Sequence, residues 1–271
     1  MLLHGLSDCY RTWMHLVPRL AQSRRVLVPD LPGHGLSERP DASYKLEWYA
    51  HLMARWLESR GLENVDVVGH SFGGGVALMM LPECRKRIRR VILVSSGGLG
   101  REITVLLRLA SIPYFVERFG QPFMGPATRL GLMAAGGAFS KEDVTKRSAM
   151  NARAGTARAF ARTVRDIIDW RGQRRSFLER PPELALPPIA VFWGDRDAVI
   201  PISHARSLAQ SMDGVPLTVF DGCGHYPHHQ QPEAFARAVG GFLDDPWARA
   251  ARPGSLAASP LAPLARAMQP A

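Results

Sequence analysis

The stretch VDVVGHSFGG, residues 65–74, carries most of the information about the fold. Its first four residues are apolar and β-branched around one Asp, which is typical of a short buried strand. A helical spacing of apolar residues follows from Val76 to Leu81. Gly69 and Gly73 would let strand and helix pack closely while Ser71 occupies a strained, exposed turn. The alternative is an ordinary glycine-rich turn, but strand, Gly-x-Ser-x-Gly and helix in this order predict a nucleophilic serine.

Composition describes a globular chain with a basic excess. The 271 residues are 46% apolar and 21% charged, which excludes disorder across the whole chain. The net charge of +10 suggests three classes of partner: nucleic acid, membrane surfaces and anionic substrates. Three scattered cysteines fit neither a disulfide framework nor a zinc site. No apolar run approaches the roughly 18 residues of a membrane span, and the first residues lack signal-peptide features. We therefore expect a cytoplasmic protein, with peripheral membrane contact left open.

Short apolar runs alternate with helical spacings along the chain, which predicts a doubly wound, mostly parallel sheet of the α/β class. Helices are expected over Trp13–Leu20 and Leu46–Trp56. Besides residues 65–68, strands are expected at Val26–Val28, Val91–Val94, Ile189–Trp193 and Pro216–Phe220.

The strand signal stops between residues 98 and 186, and helical patterns broken by Gly and Pro replace it. We interpret residues 98–186 as a helical cap inserted into a core made of residues 1–97 and 187–245. A long helix is expected from Asn151 to Arg175. The cap has 15 basic and 8 acidic residues, so most of the excess charge lies there. Residues 246–271 are rich in Ala and Pro without periodicity and are predicted to be disordered.

A nucleophilic serine needs a base and an acid that orients the base. His225 follows the last predicted strand, and Asp195 and Asp197 follow the one before it. Because carboxyl ends of parallel strands share one edge of the sheet, these groups are expected near Ser71. Either aspartate fits the acid's position at this stage. His228 and His229 are rival bases that we interpret as surface or pocket-rim residues.

The pair His4-Gly5 ends the first detectable strand. Placed before a serine elbow, it predicts an oxyanion hole in which the backbone N–H groups of Leu6 and Phe72 bind the developing negative charge. His4 and Gly5 are also candidates for contact with the substrate.

These motifs together resemble the α/β-hydrolase family over about residues 1–245. Its landmarks HG, DLPGHGLS, GHSFGG, WGDRD and GCGH occur in family order. The resemblance implies a triad of Ser71, Asp197 and His225, with a cap after the sixth family strand. Ser71 is unlike the dehalogenase and epoxide-hydrolase branches, whose nucleophile is Asp. The branch that hydrolyses carbon–carbon bonds in ring-fission products typically has Asn and Trp where this chain has His70 and Tyr226.

Relatives of this kind usually have two further strands before the HG loop. Without them, Val26–Val28 would form an exposed sheet edge, which is an aggregation hazard. We expect either a start upstream of Met1 or a genuine loss of the first hairpin.

The resemblance implies a serine hydrolase that acts, without metal or other cofactor, on a small-molecule carboxylic ester or related acyl compound. The alternatives are carbon–carbon hydrolysis, a cofactor-free haloperoxidase activity, or a ligand-binding protein on a hydrolase scaffold. Nucleic-acid binding is not expected, because no recognition motif is visible. The pattern does not predict an oligomeric state. Further substrate contacts are proposed for Tyr226 and for three arginines at helical spacing: Arg158, Arg162 and Arg165.

Overall fold

The computed structural model describes residues 1–112, 114–135, 137–177, 186–246, 248, 250 and 252–253. In this part of the chain the strands are β1 Leu2–Leu3, β2 Val65–His70, β3 Ile88–Val94, β4 Ile168–Asp169, β5 Gly172–Gln173, β6 Ile189–Gly194, β7 Met212–Asp213, β8 Leu217–Phe220 and β9 Arg252–Pro253. The α-helices are α1 Val17–Leu20, α2 Leu46–Ser59, α3 Phe72–Cys84, α4 Val105–Ala110, α5 Phe115–Phe119, α6 Met124–Met133, α7 Lys141–Asn151, α8 Thr156–Ile167, α9 Ser203–Ser211, α10 Pro227–Gln230 and α11 Pro232–Asp244.

The main sheet has five strands in the order β1-β2-β3-β6-β8, and every neighbouring pair is parallel. Alternate residues of a strand point into different cores. In β3, Val91 and Leu93 join the core that includes α2 and α3, whereas Ile92 and Val94 pack with Trp13 and α11. The sheet is therefore covered on both faces, which confirms the predicted doubly wound α/β architecture.

Helices α4 to α8 lie in the sequence between β3 and β6, the segment for which a helical cap is predicted. The expected helix from Asn151 to Arg175 is wrong in its extent. Helix α7 ends at Asn151, and Gly155 takes a left-handed φ of +86° before α8 begins. After α8, β4 and β5 form an antiparallel hairpin instead of further helical turns.

The start and the end of this insertion lie side by side. Gln173 in β5 joins them, because its side-chain Oε1 accepts from the Gly98 N–H at 2.8 Å and its own N–H donates to the Arg101 carbonyl at 2.8 Å. The Phe177 N–H also donates to the Gly98 carbonyl, at 2.7 Å. The cap thus leaves the core and returns to it at nearly one point.

Three further predictions differ from the structure. The helix expected over Trp13–Leu20 is a 3₁₀ helix, Tyr10–Trp13, followed by the separate short α1, where Pro18 favours a new helical start. Val26–Val28 is not a strand, although the Leu27 carbonyl accepts from the Leu2 N–H at 2.8 Å and holds the segment beside β1.

Within the predicted disordered tail, β9 pairs with β7, and most of the remaining tail lies outside the described residues. Among the described helices, none has the length and apolar character that crossing a membrane requires.

Candidate active site

Ser71 lies between the end of β2 and the start of α3, with φ 52° and ψ −115°. This strained backbone depends on close packing that only glycine permits. A Cβ on Gly69 would lie 2.5 Å from the Gly73 carbonyl oxygen, and one on Gly73 would lie 2.4 Å from the Leu3 carbonyl oxygen. The two glycines of the motif therefore let the elbow sit against β1 and α3, as the sequence predicted.

His225 and Asp197 meet at the same edge of the sheet. His225 Nδ1 lies 2.9 Å from Asp197 Oδ2, and both side chains are buried. The N–H groups of Val199 and Ile200 donate to Asp197 Oδ1 at 2.9 and 3.0 Å. Because an ionised carboxylate can only accept, the proton of the imidazole belongs on Nδ1, and Nε2 is left with a lone pair.

The environment keeps Asp197 ionised. Burial acts to raise the pKa of this carboxyl, but the neighbouring His225 ring and the two backbone N–H donors outweigh it and lower the pKa below its ordinary value. Asp195, the other candidate acid, is exposed to solvent. The structure therefore brings Asp197 to His225, as the resemblance implied.

His70 links the elbow to the histidine loop, a role that no sequence pattern predicted. Its Nε2 lies 2.8 Å from the backbone carbonyl of His225, so Nε2 carries the proton and donates. Burial, with a smaller contribution from the nearby His225 ring, lowers the pKa of His70 to about 3. The ring thus stays neutral and fixes the backbone of the predicted base relative to β2.

The loop after β1 lies close to Ser71, the predicted nucleophile. A Cβ on Gly5 would lie 3.1 Å from His70 Nδ1 and 3.3 Å from the Ser71 Cβ, so a glycine there lets the Leu6 backbone approach the serine. His4 is fully buried, with its Nδ1 2.8 Å from the Gly5 carbonyl and its Nε2 accepting from the Leu31 N–H at 2.9 Å. Both nitrogens are therefore occupied by backbone, which assigns His4 to shaping the loop.

Behind this loop lies a buried ion pair that joins the core to the cap. Arg147 of α7 donates to the Asp8 carboxylate, and both side chains are almost fully buried. Burial acts to raise the pKa of Asp8, but the Arg147 charge and the other neighbours outweigh burial and lower this pKa below its ordinary value of 3.8. The Arg147 guanidinium also lies 4.6 Å from the ring centre of Phe139. Asp8 and Arg147 are 139 positions apart in the chain, so no sequence spacing predicts their pairing.

The interpretation of His228 and His229 as surface or rim residues is wrong. Both are buried, and their Nε2 atoms lie 3.0 and 3.1 Å from the hydroxyl of Thr12. Burial lowers the pKa of both, which keeps the rings neutral. Tyr226, the residue after the predicted base, packs its ring 5.3 Å from that of His225 and 4.9 Å from that of Phe139.

The three arginines of α8 contact groups of the protein itself. Arg162 donates to Glu117 and Asp41, and Arg165 donates to Glu117. Arg158 donates to the Arg39 carbonyl at 2.8 Å. Their binding of an anionic substrate stays a prediction, and a substrate would have to compete with these partners. Among the described residues, no group of three or more His, Cys, Asp and Glu side chains is arranged to hold a metal ion.

Comparison with known proteins gives the family. Residues 1–238 match the model of the alpha/beta hydrolase family. The chain belongs to that family. An uncharacterized protein of Mycobacterium tuberculosis is 35% identical over 261 residues, which cover 90% of this chain and 74% of the relative. A 2-hydroxymuconate semialdehyde hydrolase of Pseudomonas sp. (strain CF600) is 30% identical over 253 residues, covering 90% of this chain and 86% of the relative.

Similarity also extends to solved structures of this fold. A bromoperoxidase from Bacillus anthracis superposes with a TM-score of 0.75 at 21% identity, covering 90% of this chain and 91% of that one. A likeness at this identity establishes the fold, and one fold hosts several reactions. The reaction must therefore be argued from the site.

Proposed function

We propose that this α/β hydrolase is a serine hydrolase acting on a carboxylic ester or a related small acyl compound. The observation that carries the proposal is the 2.9 Å hydrogen bond between buried Asp197 and His225, at the sheet edge where Ser71 has a positive φ. The close approach of the Gly5 loop to Ser71 supports an oxyanion hole in this loop. Nucleophile, base, orienting acid and oxyanion donors thus have separate candidates within one site.

In the proposed reaction, Ser71 Oγ attacks the ester carbonyl while His225 Nε2 takes the hydroxyl proton. The carbonyl oxygen gains negative charge, which the N–H groups of Leu6 and Phe72 stabilise. His225 then returns the proton to the leaving alcohol as the ester bond breaks. Water, activated by the same imidazole, hydrolyses the acyl-serine and regenerates the free hydroxyl.

Hydrolysis of a carbon–carbon bond is the second candidate function. It is favoured by a specific observation, the 30% identity to a protein named as a 2-hydroxymuconate semialdehyde hydrolase. Against it stand His70 and Tyr226, which occupy the places where that branch typically has Asn and Trp. In this chain His70 Nε2 is already engaged with the His225 carbonyl.

A direct experiment combines labelling with turnover. The intact protein should react with a fluorophosphonate probe, and Ser71→Ala should lose both labelling and turnover while keeping the wild-type circular dichroism spectrum. Asp197→Asn should reduce kcat by about 10⁴-fold because the imidazole loses its orienting acceptor. Asp195→Asn is the matched control and should be close to wild type.

The substrate is tested with a panel of esters of varied acyl length beside a ring-fission dienoate. Higher kcat/KM on esters supports the proposal, whereas turnover confined to the dienoate would establish the second candidate. No labelling and no turnover on either would indicate a binding protein on a hydrolase scaffold.

A further inference from the structure

Exposed apolar side chains are concentrated in one part of the cap. Among the residues that the structure describes, ten of the fifteen exposed large apolar side chains lie between residues 105 and 133. Each of these ten is more than half exposed. We call this group the cap patch; it consists of Val105, Leu106, Leu109, Ile112, Tyr114, Phe115, Phe119, Phe123, Leu130 and Met133.

The cap patch has no apolar partner among the described residues that would bury it. Helices α4 and α5 pack against α8, and α6 packs against α7. Each helix therefore packs on one side and exposes apolar side chains on another. Phe115 and Phe119 stand one turn apart with ring centres 5.8 Å from each other and remain 65% and 59% exposed. Large exposed apolar side chains concentrated in one segment are a common mark of an interaction site in soluble proteins.

Charge around the cap patch is one-sided. Residues 101–135 include four arginines, Arg101, Arg108, Arg118 and Arg129, and two acids. Glu102 lies 2.7 Å from His204, and Glu117 accepts from two arginines of α8, so basic groups already face both acids. Arg118 and Arg129 are exposed beside the aromatic residues.

We propose that the cap patch docks the protein on an anionic lipid surface. Segments that bind at a membrane interface combine two components. Apolar and aromatic side chains insert into the headgroup boundary, and flanking cations attract acidic lipids. A second copy of the chain fits less well, because two such patches face to face would bring Arg118 and Arg129 of both copies together. This proposal is separate from the catalytic one, since no residue of the cap patch belongs to the triad.

The experiment is sedimentation of the full chain with vesicles of phosphatidylcholine alone or of phosphatidylcholine with 30% phosphatidylglycerol. Binding is expected to the anionic vesicles, to weaken as NaCl rises, and to be unchanged by Ser71→Ala. Phe115→Ser/Phe119→Ser should weaken binding by at least about tenfold, because two exposed rings no longer insert. Arg118→Gln/Arg129→Gln should remove most of the salt dependence. All variants are first checked for wild-type thermal unfolding.

Matched controls lie outside the cap patch. Leu36→Ser removes another side chain that is 60% exposed, and Arg206→Gln/Arg237→Gln removes two exposed cations elsewhere; both should bind like wild type. Absence of binding to anionic vesicles, or equal binding to both vesicle types, would overturn the proposal. So would a dimer in light scattering that Phe115→Ser/Phe119→Ser converts to monomer, because a second copy would then occupy the patch.

Discussion

The edge of the sheet around Ser71 and the outer surface of the cap are built under opposite constraints. At the edge, backbone approaches backbone so closely that a Cβ on Gly69 would sit 2.5 Å from a carbonyl oxygen. On helix α6, a Cβ on Gly131 would have no atom within 4 Å from any described residue outside the adjacent turns of its own helix. The ion pairs differ in the same sense, since Asp8–Arg147 is buried whereas the Glu117 pairs are partly exposed. Close backbone packing therefore constrains the residues around Ser71, whereas the outer side of α6 at Gly131 is open.

The largest effect on stability is expected from Gly69→Ala. Its methyl group would meet main-chain atoms, which cannot rotate away as a flexible side chain can. We expect a loss of more than about 4 kcal/mol in the free energy of unfolding, the range of severe core defects. Urea denaturation measures it. A loss below 1 kcal/mol would mean that the elbow is not tightly constrained.

The next effect is expected from Arg147→Gln, which leaves the Asp8 carboxylate buried without its partner. Breaking a buried pair in this way costs about 3–5 kcal/mol. The double variant Asp8→Asn/Arg147→Gln carries no charge at either of these two positions, so a large part of the loss in unfolding free energy should return. Thermal unfolding of the wild type, Arg147→Gln and the double variant measures both the loss and its recovery. A double variant less stable than Arg147→Gln would contradict the electrostatic explanation.

The same pair predicts a pH dependence. In the wild type the pKa of Asp8 is lowered below 3.8, so the unfolded chain binds more protons just below that pH and acid removes the contribution of the pair. In Arg147→Gln, burial raises the pKa of Asp8, so the folded state binds more protons and stability falls as pH rises. The difference in Tm between the two proteins should therefore widen from about pH 4 to pH 7, the range above the ordinary carboxyl pKa.

A smaller effect is expected from Glu117→Gln on the cap. Its arginine partners are about one-quarter exposed, and solvent screens such pairs. The loss should be about 1 kcal/mol or less and should shrink in 0.5 M NaCl. A salt-independent loss comparable to that of Arg147→Gln would erase the distinction between the two regions.

The smallest change should have the opposite sign. Gly131→Ala places a methyl group in open space on the interior of helix α6 and reduces the freedom of the unfolded chain. We expect a gain of about 0.5–1 kcal/mol in the unfolding free energy. If Gly131→Ala destabilises the protein, something covers this part of α6, and light scattering would show whether it is a second copy.

Sequence patterns predicted what depends on neighbours along the chain. The strands that end near Ser71, Asp197 and His225 follow from short apolar runs, and the elbow follows from its glycines. The sequence could not distinguish Asp195 from Asp197 by spacing alone, because both follow β6; burial distinguishes them.

Contacts between distant segments were not predictable in this way. Asp8 and Arg147 have no shared pattern, and the partner of His70 is a carbonyl, a group that every residue has. The helix expected over Asn151–Arg175 failed because apolar spacing ignores the left-handed φ of Gly155 and the hairpin that follows.

The hydrogen bonds of Gln173 have a consequence for how this protein can be engineered. Hydrogen bonds join Gly98, Arg101 and Phe177 around Gln173, so the inserted segment begins and ends at adjacent positions beside the sheet. Whatever is inserted there has only to span a short gap, so its length costs little in loop-closure entropy. A different segment grafted between Arg101 and Gly172, with Gln173 kept in place, would therefore change what covers the site while β2, β6 and β8 hold the proposed triad in register.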